Sequence, residues 1–230
     1  MKRVTVIAGH YGSGKTEFAV NLALGIKEQI DLEKRHEKVA LLDMDIANPY
    51  FRSRERQKML ESAGIEVIYN TFGFDITEDL PAITAAVRGP LENPDYHVVV
   101  DVGGNDSGAR ILKQFGKYLM GDDVELLCVL NGNRMETDTV SGMLEHLHSI
   151  EVETGLKFDG IINNTHMLTE TTAEMIVNGY QLREEVSRQL DIPIAFNTCR
   201  EDLLEDLKAL MDMENVYPIR LYMRPSWLDR

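Results

Sequence analysis

The chain has 230 residues, 43% of them hydrophobic, which suits one large domain around a single extended core. It carries 24 Lys and Arg against 38 Asp and Glu, a net charge of −14, and this disfavours non-specific binding to nucleic acid or to an anionic membrane surface. Its two cysteines, Cys128 and Cys199, form no C-x-x-C pair, so a zinc or iron–sulfur site on cysteines has no framework, and a reduced, cytoplasmic setting is expected.

The N-terminus runs straight into an apolar stretch, Val4–Ala8, with none of the segments of a signal peptide, and no apolar run approaches the length of a membrane span. Gly9-His10-Tyr11-Gly12-Ser13-Gly14-Lys15-Thr16 follows and reads G-x-x-x-x-G-K-T. After it, Phe18, Leu22 and Ile26 recur every four residues and predict a helix from about Lys15 to Ile30. Strand, glycine-rich loop and helix in that order are the setting of a phosphate-binding P-loop. The glycines let the backbone curl so that its N–H groups face phosphate oxygens, and the helix adds its positive N-terminal end. Lys15 is expected to reach the β- and γ-phosphates, Thr16 to ligate Mg2+, and Glu17 is counted with the same binding set.

A charged stretch, 31–38, then gives way to the apolar run Val39–Leu42, the composition of a strand covered on both faces. It delivers Asp43-Met44-Asp45 to the strand end where open α/β sheets bind ligands. The two aspartates are expected to point to opposite sides of the sheet, so that one of them, Asp45 in preference to Asp43, faces the phosphates. Residues 46–51 are expected to form a loop, and a helix to end near Gly64. Ile65–Tyr69 has strand composition, Pro81–Val87 that of a short helix, and Val98–Val100 that of a buried strand ending at Asp101-Val102-Gly103-Gly104. Further strands are expected at Val124–Leu130, at Ile161–Ile162 ending in Asn163-Asn164, and at Ile192–Phe196, where Pro193 favours an edge or a strand start. Helices are expected over Thr137–Glu153, Thr171–Leu190 and Glu201–Met211, with the tail from Pro218 wrapping the domain. Such alternation implies βα units, an α/β fold of three layers with a mostly parallel central sheet, and a single domain over 1–230.

Phosphoryl transfer needs a phosphate cradle, a metal and a group that positions the nucleophile. Gly9, Gly12, Ser13, Gly14, Lys15 and Thr16 supply the cradle. Asp101 ends an apolar strand, as a Walker B carboxylate does, and would hold Mg2+ through water. Gly104 would bring a backbone N–H to the γ-phosphate.

In this order of motifs the chain resembles the MinD/ParA-type P-loop ATPases of the SIMIBI class, over most of its first 165 residues. The resemblance implies a parallel sheet of seven or so strands, ATP and Mg2+ as cofactors, slow hydrolysis and ATP-driven dimerisation. It makes Asp45 the aspartate that positions the attacking water, Asp101 the switch II aspartate, and Asn164, or Asn163 one residue earlier, the reader of adenine. Many members carry a second lysine after the first P-loop glycine that reaches the partner's phosphates; this chain has His10 there. Arg52, Arg54 and Arg110 are candidates for the missing charge. Asn163–Met167 lacks the Lys and Asp of an N-K-x-D guanine motif, which favours ATP. The leading expectation is an ATP-hydrolysing switch coupled to a homodimer or an unidentified protein client. A small-molecule kinase or ligase with an acceptor site near Tyr50–Arg52 or Asn131–Arg134, and a weakly hydrolysing adaptor, are the alternatives. DNA, membrane and iron–sulfur partners are not expected.

Overall fold

The computed structural model describes residues 1–44, 53–69, 80–104, 112–113 and 115–223. Eight strands form one sheet: β1 (Val4–Gly9), β2 (Lys38–Met44), β3 (Ile65–Tyr69), β4 (Tyr96–Val102), β5 (Val124–Leu130), β6 (Gly160–Asn163), β7 (Ile194–Arg200) and β8 (Val216–Ile219). Their order is β3-β2-β4-β1-β5-β6-β7-β8, and every pairing is parallel. The helices are α1 (Lys15–Leu32), α2 (Gln57–Ser62), α3 (Leu80–Glu92), α4 (Val140–Thr154), α5 (Ala173–Leu190) and α6 (Leu204–Leu210).

Both faces of the sheet are covered, which is why β1 and β2 read as unbroken apolar runs. On one face Phe18, Leu22, Ile26 and Ile30 of α1 and Leu60 of α2 meet Ile7, Leu41, Val99 and Val129. On the other, Val87 and Leu91 of α3, Met143 and Leu147 of α4 and Val186 of α5 meet Val6, Leu42, Val100 and Cys128. Cys128 is a small core residue whose thiol burial pushes up to about 12. These are the three layers expected. No helix among the described residues is long and apolar enough to cross a membrane.

Four boundaries differ from the sequence expectations. The strand expected at 192–196 is Ile194–Arg200, because Pro193, without an N–H, stands just outside the ladder. The expected helix start at Thr137 is Val140, with the Thr139 hydroxyl accepting from the Gly142 N–H at 3.2 Å as its cap. The short helix at 81–87 extends to Leu80–Glu92 and accommodates Pro90 near its end. The tail contributes an eighth strand: β8 lies at the sheet edge, the place where Pro218 is tolerated.

Candidate functional site

The strand order puts β1 between β4 and β5, so the loop leaving β1 opens at the middle of the sheet's C-terminal edge. Gly12 and Gly14 have φ of 74° and 88°, left-handed values that side chains resist. The loop is closed by the Ser13 N–H donating to the His10 carbonyl at 3.1 Å, and α1 starts with Phe18 N–H on the Gly14 carbonyl at 3.0 Å. Threonine side chains cap α4 and α5, whereas Gly14 offers α1 no side-chain cap. An anion there would meet the first backbone donors of α1. Lys15 and Thr16 are both buried there, and the Lys15 ammonium donates to the His10 carbonyl at 3.1 Å.

Asp101 is fully buried near the end of β4, in register with Ile7 of β1 and Asp43 of β2. Val99 and Leu41 pack on α1, so Asp101 and Asp43, two residues further along their strands, share the α1 face with Lys15 and Thr16. Strand geometry by itself sends residues two apart the same way, so the expected divergence of Asp43 and Asp45 does not follow from it. Asp45, Arg52 and Arg110 lie outside the described residues, as does the Arg54 side chain. A Cβ on Gly104 would stand 2.7 Å from both the Gly9 carbonyl oxygen and the Tyr11 nitrogen, so only glycine fits so close to the loop. No group of three or more His, Cys, Asp or Glu among the described residues could hold a metal ion alone. Mg2+ would therefore draw on Thr16, Asp101, phosphate oxygens and water.

A cavity of about 240 Å3 opens beside the loop. Asn164 lines it, donates from Nδ2 to the Ser13 carbonyl at 2.7 Å and accepts from the Thr198 hydroxyl. Asn163 faces inward instead, fully buried, with its amide on Asn197 Oδ1 at 3.1 Å and the Ile176 carbonyl at 3.4 Å. Of the two expected base readers, the geometry therefore puts Asn164 at the cavity and Asn163 in the core.

His10 folds back over the domain. Its Nδ1 lies 3.8 Å from Glu136, and its ring meets His146 edge-on with centroids 5.6 Å apart. Glu17, expected to serve the phosphates, points to the C-terminal segment and accepts the Tyr222 N–H at 2.6 Å. Burial pushes its carboxyl up to about 7, against the lowering pull of the Tyr222 and Met223 N–H groups and of Arg56.

Two cavity residues were not assigned to phosphate or base from the sequence. Arg134 donates from Nε to the Gly12 carbonyl at 3.0 Å, and a Cβ on Gly12 would stand 2.8 Å from its guanidinium. His166 turns Nε2 toward Gly14. Burial first, then Arg134, pushes its imidazole down to about 4. Neither residue lies in a recognisable motif. A faint signal existed for the tail: Gly25 sits inside α1, where a Cβ would come 2.5 Å from the Tyr217 hydroxyl.

No protein-family model matches the chain. No curated protein sequence matches it either. Its fold is similar to solved structures of FtsY. The cell division protein FtsY of Thermotoga maritima aligns with TM-score 0.53 and 23% identity, over 84% of this chain and 60% of that one. The signal recognition particle receptor FtsY of Elizabethkingia anophelis, in complex with GDP, aligns with TM-score 0.52 and 17% identity, over 85% and 57%. FtsY of Mycoplasma mycoides gives TM-score 0.51 and 16% identity, over 84% and 58%. The chain thus spans about 60% or less of the lengths of these structures. The likeness establishes the fold, the three-layer α/β fold of P-loop NTPases.

Proposed function

We propose that this chain binds a purine nucleoside triphosphate with Mg2+ and hydrolyses it, with ATP as the substrate, and that the bound state is read by a second copy or a client protein. The observation that carries this reading is the uncapped start of α1, where Lys15 and Thr16 share one face of the sheet with Asp101 below a loop that only glycines can shape. The open backbone N–H groups and the Lys15 ammonium suit the β- and γ-phosphates. Thr16 and Asp101 would hold Mg2+, which would offset phosphate charge. Gly104 would bring its N–H to the γ-phosphate, and Asp45 would orient the attacking water.

Asn164 spends one amide N–H on Ser13, and the other would donate to purine N7. The FtsY chain solved with GDP supports a purine nucleotide on this fold. Adenine is favoured over guanine here because guanine presents paired donors that a carboxylate meets best. Among the described residues Glu17 is the acid lining the cavity, and it is spent on the Tyr222 and Met223 N–H groups. The resemblance to MinD/ParA-type ATPases supports ATP and nucleotide-dependent dimerisation. The folded-back His10 leaves any cross-subunit charge to another residue.

Calorimetric titration with MgATP and MgGTP tests the reading. ATP should bind more tightly than GTP, and Lys15→Ala should weaken ATP binding about 100-fold, the loss of a charge-assisted phosphate contact. Unchanged ATP binding by Lys15→Ala would sink it.

A further inference from the structure

The segment after β8 is fastened across the first two turns of α1. Asn21 holds both backbone groups of Arg220: Oδ1 accepts its N–H and Nδ2 donates to its carbonyl, each at 2.9 Å. The Glu17 carboxylate accepts the Tyr222 N–H at 2.6 Å and the Met223 N–H at 3.1 and 3.2 Å. The Tyr217 hydroxyl donates to the Asn21 carbonyl at 3.1 Å, in the space that Gly25 leaves open. Met223 is buried in the core cluster of Phe18 and Ile26. A buried carboxylate is costly unless its lone pairs are used, and Glu17 uses both oxygens on this segment. The anchor sits one residue beyond Thr16, so the tail is tied to the helix that carries the phosphate site.

The result faces the cavity. Ile219, Leu221 and Met223 line it together with Leu168, Ile176, Asn164 and Thr198. A cavity that combines these apolar side chains with an amide, beside a phosphate loop, has the makings of a base pocket. We propose that residues 219–223 form the base-side wall of the nucleotide site, with Glu17 and Asn21 as the positioning residues that hold it against α1. This rests on the nucleotide reading above and adds which part of the chain recognises the base. By linkage, a ligand that packs on the strap also holds it down, whereas one that occupies only the phosphate loop does not.

Inorganic triphosphate, which has the phosphates without the base, separates the two halves. Binding of MgATP and of Mg-triphosphate is measured for the wild-type protein, Lys15→Ala and Leu221→Ala. The Leu221 side chain is only partly buried, so its truncation should leave folding intact. Leu221→Ala should weaken ATP binding roughly tenfold, the scale of a lost apolar contact, and change triphosphate binding less than about twofold. As a second readout, tryptic cleavage after the exposed Arg220 should be slowed by ATP and left unchanged by triphosphate. Equal losses for both ligands, no loss for either, or equal protection by both would overturn the assignment of the wall. If Lys15→Ala bound triphosphate as the wild type does, the nucleotide reading itself would fail, and the wall with it.

Discussion

The two halves of the cavity are built in opposite ways. The phosphate half is one stretch of eight residues, Gly9–Thr16, whose shape is set by its own glycines and by the helix it starts. The base half is collected from the ends of β6 and β7, the start of α5 and the strap after β8. A phosphate is the same in every nucleotide and can be met by backbone N–H groups, so a short local motif suffices. A base needs a wall of chosen shape, which under the proposed reading comes from distant segments brought together. The comparison gives a rule for variants: damage to the first half should cost nucleotide and inorganic triphosphate alike, and damage to the second should cost the nucleotide alone.

Gly14→Ala should have the largest effect because it strikes where the halves join. The left-handed φ of 88° costs a side chain about 1 kcal/mol. The new Cβ would also run into the Asn164 amide nitrogen, displacing the contact that ties the base reader to Ser13. Binding of both ligands should fall by about 100-fold or more, and thermal unfolding should report roughly 1–3 kcal/mol of lost stability. Retained triphosphate binding would break the rule, since it would show a phosphate loop indifferent to its own backbone.

Arg134→Ala is a smaller test of the same side. Arg134 comes from the loop after β5, yet it touches Gly12 and so belongs with the phosphate half. Its hydrogen bond is exposed, which limits the loss to roughly three- to tenfold, equal for ATP and triphosphate. Arg134→Lys should recover only part of it, because an ammonium cannot reproduce the planar fork lying over Gly12. A loss confined to ATP would move Arg134 to the base half.

Legibility followed the same division. The sheet, its parallel order and most helices could be read because buried strands and amphipathic helices write their periods locally. The placement of the loop, Asp101 and Gly104 at one edge of the sheet was readable for the same reason, each following an apolar run. Asn164 was preferred to Asn163 by register alone, whereas what separates them in the fold is where β6 ends and the contacts of Asn197 and Thr198, distant in sequence. Glu17 looked like part of the cradle because it follows Thr16, but its partners are the N–H groups of residues 222 and 223. The strap stayed hidden because backbone groups held by Asn21 and Glu17 leave no pattern in the residues of the strap itself. The tail was expected to wrap the domain, but a strand at 216–219 was not expected, and only the finished sheet shows the edge at which Pro218 is tolerated.

The last and smallest effect concerns His166, which stands at the seam with Nε2 toward Gly14 and its backbone N–H on Asn131 at 3.2 Å. Its folded pKa of about 4 lies below the ordinary 6.5, through burial first and then Arg134. Between those values the unfolded chain binds the proton and the folded one does not, so stability is complete above pH 6.5 and declines as the pH falls toward 4. The ceiling is about 1.4 kcal/mol per pH unit, and partial exposure of the ring lowers it. His146, also pushed down to about 4 by burial and then by His10 and Lys15, adds a decline of the same sign. Glu17, raised to about 7, acts oppositely, because its folded form takes up a proton first. The useful quantity is therefore the difference between variants. Melting temperatures of the wild type, His166→Gln and His146→Gln between pH 7.5 and 5 should show a flatter acid slope for each variant. ATP should steepen the acid slope of the wild type more than that of His166→Gln, since a ligand that selects the neutral ring holds the folded imidazole unprotonated further into acid. A His166→Gln slope equal to that of the wild type would remove His166 from the seam and leave Asn164 as the link between the halves.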